Sequence, residues 1–582
     1  MKRIFIVLSL MVVGCTPKAT YDLSQYEETA IYYGGDIVTV DDNVPHAEAV
    51  LVGDGEIVAV GSKRELMKSK RDDTRLIDLK GKTMLPGFVD SHSHISHVTK
   101  YPDFSPAQGV TSIESLVEYG REQFEKWYDK ATADGSYQPG DWFVGNGYDN
   151  TVFPGAVGPT AKDLDSISTD VPICLIHTSN HIGVVNSKGL EILKYTKGSP
   201  MTERYKQWLG MYPDGAPDGL LQEGAFFRLY YDPNVLMDNE RTDVGKEEDI
   251  LRRAMDLYAS YGITTAQDGA GSTIVQSVHN ILAEGGELPI DINSYTDVNS
   301  VPGPSDEQKY VDGFRVAGVK IFLDGSPQAK TAWLLEPYYV VPEGKPADYR
   351  GFPQMTDDEV YESFKTCLEN GYQVLGHTNG SAAIEQYLDQ YARAKAATGI
   401  EPAYRPVLIH AQTITEEQLD RAEELGVNVS FFNDHTYYWG DYYLSSILGP
   451  ERSQSISPLK SALGRDINVT IHQDSPVVPP DMLFSIHNAV NRTTRDGVVL
   501  GPEYRVEPIE AIRMVTINGA KQYYQDDRGS ITPGKIADFV ILDANPEKVD
   551  MSKIKDIKVL QTIKRGKVIY DAANNNTDGK AK

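Results

Sequence analysis

The sequence predicts a (β/α)8 barrel with a small β-sandwich built from both chain ends and an insertion after the first barrel strand. Three observations carry this. Both ends read as short alternating strands, the middle alternates helices with short apolar strands, and one long Gly/Pro-punctuated segment breaks that rhythm. Of 582 residues, 40% are hydrophobic and 24% charged, enough apolar material for a large core. The expected layout is a sandwich over 29–85 plus 528–573, a barrel over 86–527 with its insertion at about 99–233, and a disordered tail over 574–582.

The elements follow in order. Residues 1–14 combine a basic start, "MKR", with the apolar run "IFIVLSLMVV". That run is short for a bilayer span and reads as a signal peptide. Cys15, directly after Gly14, resembles the lipid-modified cysteine of a bacterial lipoprotein, with 15–28 as a tether. The expectation is an exported, membrane-anchored lipoprotein on the periplasmic or cell-surface face, its lipid in the bilayer. From Ala30 to Leu85, "AIYYGGDIVTVD", "AVLVGDGEIVAVG" and "RLIDLKGKTMLPGFVDSH" alternate apolar residues with Gly-Asp and Lys-Gly turns, and "GKIADFVILDANP" and "VLQTIKRGKVIYD" repeat the pattern near the end.

In the middle, "KEEDILRRAMDLYASYG" is a helix stopped by glycine, and "ITTAQDG" a strand. "VAGVKIFLDGS", "YQVLGHTNG", "YRPVLIHAQ", "VNVSFFNDH" and "INVTIHQDSP" are further strands, most of them preceded by helical stretches. Each ends in polar or ionisable residues, and a parallel barrel gathers such ends at one mouth. The segment from Thr99 to Pro233 is read as a lid or side subdomain.

Charge and cysteine content exclude several classes. Lys plus Arg number 56 against 83 Asp plus Glu, a net charge of −27 that repels nucleic acid. Apart from Cys15 only Cys174 and Cys367 are present, so there is neither a disulfide framework nor a thiolate metal cluster. A metal would fall to His, Asp, Glu or a modified Lys.

His92 and His94 stand at i and i+2, so on a strand both imidazoles leave one face, half of a metal site. Further ligand types close later strands: His377, His410 and Asp474. Lys320 lies inside the apolar run "GVKIFL", where a lysine is costly unless paired or neutralised. Alone it would equally suit an ion pair with Asp324 or Asp268; carboxylated by CO2, it would be an anionic ligand.

The order HxH, Lys, His, His, Asp resembles the amidohydrolase superfamily, more narrowly its amidohydrolase-3 branch of YtcJ-like and N-substituted formamide deformylase-like proteins. The resemblance covers nearly the whole chain after Tyr21, through "LPGFVDSHSH", "DLDSISTDVPICLIHTSNHIGVVNS", "KIFLDGSPQAKTAWL", "GHTNGSAAIEQYLD", "RPVLIHAQ", "HQDSPVVPPDML", "AVNRTTRDG" and "GSITPGKIADFVILD". It implies one or two divalent metal ions, Zn as the expected one. His92 and His94 would hold the buried ion, carboxylated Lys320 would bridge, and His377 and His410 would hold a second. With a metal-activated hydroxide as nucleophile, Asp474 would act as ligand and as general base, then return the proton to the departing nitrogen.

The implied reaction is cleavage of a non-peptide amide or formamide C–N bond in a small molecule. A cyclic-amide hydrolase or deaminase on the same scaffold, and an inactive surface-binding lipoprotein, are the alternatives; a homodimer is compatible with either. His181 matches a histidine the family places near substrate. His435 is expected at the end of strand seven, contacting substrate or steadying an oxyanion, and Trp439 with Tyr437 and Tyr438 would wall the pocket. His97, Asp324, Glu223 and Arg492 are read as supporting residues, and His472 as a core histidine on the face opposite Asp474. His46, His177, His279 and His487 carry no signal. The chain departs from the family at Ile409 (commonly Glu), Gln473 (often Ser), Lys330 (usually Arg) and Ser381 (frequently Asp), which bears on specificity.

Overall fold

In a computed structural model, which describes residues 21–232, 235, 244–271, 273–286, 288–300 and 309–575, the two chain ends share one sheet. The expected signal segment, Cys15, the tether as far as residue 20, residue 233 of the insertion and the tail from 576 lie outside the described residues. Strands Thr29–Val38, His46–Gly53, Glu56–Gly61, Arg75–Asp78 and Thr83–Pro86 join Phe539–Leu542, Val559–Lys564 and Lys567–Asp571. The sheet is continuous across both chain ends. The first strand pairs with Arg75–Asp78 through Ala30–Tyr33, then, past a bulge, with Thr83–Pro86 through Asp36 and Ile37. It bends there, and Tyr32 meets Phe539 edge-to-face at 5.4 Å. The described part of the tether is docked: the Arg71 guanidinium donates to the carbonyls of Leu23 and Glu27, both at 2.9 Å, and Leu23 is buried.

Pro86 closes that sheet and Phe88 opens the barrel, with only Gly87 between; a Cβ on Gly87 would lie 2.5 Å from Thr264 Oγ1. Eight parallel strands follow in chain order: Phe88–Val89, Ile263–Asp268, Asp291–Thr296, Phe314–Phe322, Gln373–Thr378, Val407–His410, Asn428–Phe431 and Val469–Ile471. The ring is completed between strands eight and one by Ser91 Oγ donating to Ile471 O at 3.0 Å and His94 N to Ser475 O at 2.8 Å. Strand three was not legible in the sequence. Its residues, DINSYT, are buried throughout but contain no apolar run.

Local chemistry sets the helix limits. Thr356 and Glu359 form a capping box for Asp357–Asn370, and Gly371 ends it at φ 73°; Thr415, Gln418 and Gly426 do the same for Glu416–Leu425. The segment after strand one builds its own five-stranded sheet, in the order Leu209–Met211, Pro217–Gln222, Ile182–Val185, Ile173–His177, Phe143–Tyr148. Helix Ile113–Ala133 flanks it, and its loops reach the barrel mouth: Thr178 Oγ1 donates to Val477 O at 2.7 Å. Among the described residues no helix is long and apolar enough to cross a membrane.

Candidate functional site

Strand one is only two residues long, so His92 and His94 lie on the irregular exit after it. Asp90 shapes that exit: its carboxylate accepts from His92 N at 3.2 Å and from the Ser93 hydroxyl. Burial pushes the Asp90 carboxyl up to about 7. His92 Nδ1 faces Gln267 Oε1 at 2.5 Å; that amide oxygen only accepts, so Nδ1 carries the proton and Nε2 is a bare acceptor. Lys320 Nζ donates to that Nε2 at 2.9 Å. Burial lowers the Lys320 amine to about 7 and drives His92 well below its ordinary value.

Asp474 arrives from strand eight, in a left-handed conformation at φ 56° that an aspartate seldom adopts. Its Oδ1 lies 3.3 Å from His92 Nε2 and 3.2 Å from His94 Nε2, buried and without a hydrogen-bond partner. One ligand atom from each of His92, His94 and Asp474 falls within 4.8 Å of the other two, a group able to hold a metal ion. An orphaned carboxylate oxygen between imidazole nitrogens fits a cation.

His377 and His410 meet next to it, with Nδ1 of the first 3.0 Å from Nε2 of the second. His410 is also left-handed, at φ 76°. Burial drives both well below the ordinary histidine value. His181, from the insertion, places its ring 4.8 Å from His377, and its Nδ1 donates to Glu223 Oε2 at 3.0 Å. Burial alone would depress His181, but the Glu223 carboxylate outweighs it and the imidazole titrates above its ordinary value. Thr331 Oγ1 donates to Glu223 Oε1 at 2.6 Å, so the pair is fixed from both sides.

His435 does not end strand seven, which stops at Phe431; it opens the helix His435–Tyr442. Its ring packs on Phe432 at 4.5 Å and Trp439 at 4.6 Å, Nδ1 meets Tyr443 OH at 3.1 Å, and burial lowers it to about 3. Trp439 Nε1 donates to Asp149 Oδ2 at 3.1 Å, tying this aromatic helix to the insertion. Tyr438 lies tilted against Trp439 at 5.6 Å, while Tyr437 packs on Phe484.

The supporting residues divide. Asp324 accepts from the backbone of Trp333, Asn379 and Gly380 and is pushed up to about 7 by burial. Arg492 donates to the carbonyls of Leu500, Ser457 and Ile456 and braces loops. His97 is exposed, its ring stacked 6.2 Å from His94. Ile409 belongs to the apolar barrel interior with Val89, Leu375 and Val407. Lys330 donates to Val340 O, and Ser381 Oγ accepts from Leu335 N.

His472 overturns its sequence reading. It lies among the site histidines, its ring 5.1 Å from His92 and 5.2 Å from His410. At this strand exit His472 and Asp474 both turn to the site, while Gln473 donates to Ser485 Oγ at 3.2 Å on the helix behind. Gln267 and Asp149 were also missed: neither lies in a motif, and both reach the site only through the fold.

A family model described as "Amidohydrolase family" matches residues 75–570. The Bacillus subtilis (strain 168) protein YtcJ, which carries an amidohydrolase name, is 26% identical over 564 residues, covering 93% of this chain and 99% of that protein. The N-substituted formamide deformylase of Arthrobacter pascens is 24% identical over 569 residues, covering 92% and 96%. Among solved structures, a metal-dependent hydrolase from Pyrococcus horikoshii OT3 superposes with a TM-score of 0.68 at 22% identity, covering 90% of this chain and 99% of that one; this likeness is one of fold.

Proposed function

Because the chain belongs to the amidohydrolase family, we propose that it is a metal-dependent hydrolase cleaving a non-peptide amide- or formamide-type C–N bond in a small molecule. The observation that carries this is Asp474 Oδ1, buried without a partner between the Nε2 atoms of His92 and His94. One or two divalent cations, Zn by expectation, one held by these residues and a second by His377 and His410, would supply an acidified water and a polarised carbonyl. Asp474 would serve as the base that takes a proton from that water and as the acid that returns it to the departing nitrogen. His181, braced by Glu223, donates toward the substrate oxygen, and Trp439 with His435 lines the substrate side. An ammonium on Lys320 would oppose a cation at His92; as a CO2 adduct, with its proton released to water, it would bring a carboxylate there instead. The Arthrobacter relative acts, by its name, on N-substituted formamides, which supports the choice of bond. We also propose that Cys15 carries a lipid anchoring an exported protein; a Cys15→Ser variant recovered soluble rather than in the membrane fraction is the expected result.

The test is elemental analysis of the purified protein combined with a panel of N-substituted formamides, N-acyl amino acids and small cyclic amides, with added Zn. Metal present and turnover of an acyclic amide are expected. A folded, metal-free and inactive protein would sink the hydrolase reading, and turnover confined to cyclic amides or amidines would move it to the cyclic-amide or deaminase class.

A further inference from the structure

His472 belongs to no ligand set above, yet it occupies the middle of a buried chain of polar contacts. His410 Nδ1 lies 3.1 Å from His472 Nε2, and His472 Nδ1 lies 2.8 Å from Ser430 Oγ. Ser430 Oγ is 3.2 Å from Ser91 Oγ, which is 3.0 Å from the carbonyl of Ile471. All four side chains are buried. A carbonyl only accepts, and this fixes every proton in the series. Ser91 donates to Ile471, so it accepts from Ser430; Ser430 therefore accepts from His472 Nδ1–H. That leaves His472 Nε2 as an acceptor for His410 Nδ1–H, and the neutral His410 ring has a bare Nε2.

The facing ring is His377. Its Nε2 lies 3.3 Å from the carbonyl of Gly325 and 3.1 Å from Asn379 Nδ2, which itself donates to that carbonyl at 3.0 Å. The bare Nε2 of His410 thus faces His377 Nδ1 at 3.0 Å, next to the proposed metal ligands.

We propose that His472 is a positioning residue: with Ser430 and Ser91 it fixes the tautomer and ring angle of His410 so that Nε2 is offered to the metal. This rests on the metal-dependent reading above. It adds a residue from the same strand exit as Asp474, and one that acts only through His410.

The test is Co2+ titration of the metal-stripped full chain, followed by visible absorption and elemental stoichiometry. His472→Phe removes the acceptor for His410, whereas His472→Gln keeps an amide oxygen able to take that proton. H472F is expected to loosen one Co2+ equivalent about 10–100-fold and alter its absorption band, the usual size of a lost outer hydrogen bond to a metal-binding histidine. H472Q should recover most of the affinity and the band. Wild-type affinity and spectrum in H472F would overturn the proposal, as would equal loosening of every equivalent together with a lowered unfolding temperature. Should H472F fail to fold, Ser430→Ala carries the test, with loosening expected and unchanged binding overturning it. A wild-type chain that takes up no Co2+ fails the metal-dependent reading itself, an outcome distinct from the others.

Discussion

At the scale of the residue, Asp474 and His472 show how much one strand exit decides. Strand eight pairs only through Ile471, and the next three residues carry a site imidazole, an outward-facing amide and the carboxylate. Asp474→Asn keeps the size and one carbonyl-type oxygen but removes the basic site. We expect weaker metal binding, since a charged ligand is lost, and turnover of the metal-loaded protein reduced by about 10²–10⁴-fold, the usual contribution of a positioned proton-transfer group. Retained activity would remove Asp474 from the proton-transfer role. The ligand-type residues His92, His94, His377, His410 and Asp474 stand out in the sequence because each follows or closes a short apolar run, and Lys320 because it interrupts one. Their atomic meeting points do not. Nothing in the text of the chain says that His410 Nε2 faces His377 Nδ1, since that depends on ring angles set by His472 and Gly325.

At the scale of the element, the insertion completes the site. Asp149, at the end of the insertion strand Phe143–Tyr148, accepts from Trp439 Nε1, and Thr178 donates to Val477 O beside strand eight. These contacts hold His181 and Glu223 over the barrel mouth. Trp439→Phe preserves the aromatic packing but leaves the buried Asp149 oxygen without its donor, at a cost of about 1–3 kcal/mol. Faster limited proteolysis within the insertion, with the barrel cleaved as slowly as before, is the expected readout; an unchanged cleavage pattern would mean that this bond does not hold the insertion down. The sequence marked this segment only by its broken rhythm. Which of its residues reach the barrel is a matter of long-range contact, for which local pattern has no signal.

At the scale of the whole molecule, a buried ionic latch joins the barrel to the terminal sheet. Asp291, at the start of strand three, accepts from Arg528 Nη1 and from Lys564 Nζ, each at 2.5 Å. Lys564 is the last residue of a terminal-sheet strand, so the chain end is tied across the barrel base. Burial would raise the Asp291 carboxyl, but the Arg528 and Lys564 charges outweigh it and hold it below the ordinary carboxylate range. A carboxyl depressed in the folded state contributes stability that is full above its unfolded value, near 3.9, and is lost as pH falls through the folded one. Asp291→Asn should therefore cost about 3–5 kcal/mol at neutral pH, because it strips Lys564 of its carboxylate and leaves buried Arg528 only the half-exposed Asp527. It should also flatten the acid limb of stability below about pH 4. Thermal unfolding of both forms from pH 3 to 7 measures this, and parallel curves would contradict it.

The sequence by itself determined the class of fold and which residues of ligand type close its strands. Helix caps, glycine stops and apolar runs are local, and the residue closing each run can be read directly. Only the tertiary structure decided the continuous terminal sheet, the polar strand three and the place of His472 among the site histidines. Each of these rests on partners tens to hundreds of residues away. Burial, hydrogen-bond direction and ring angle are properties of such pairs, and no single stretch of chain contains both members.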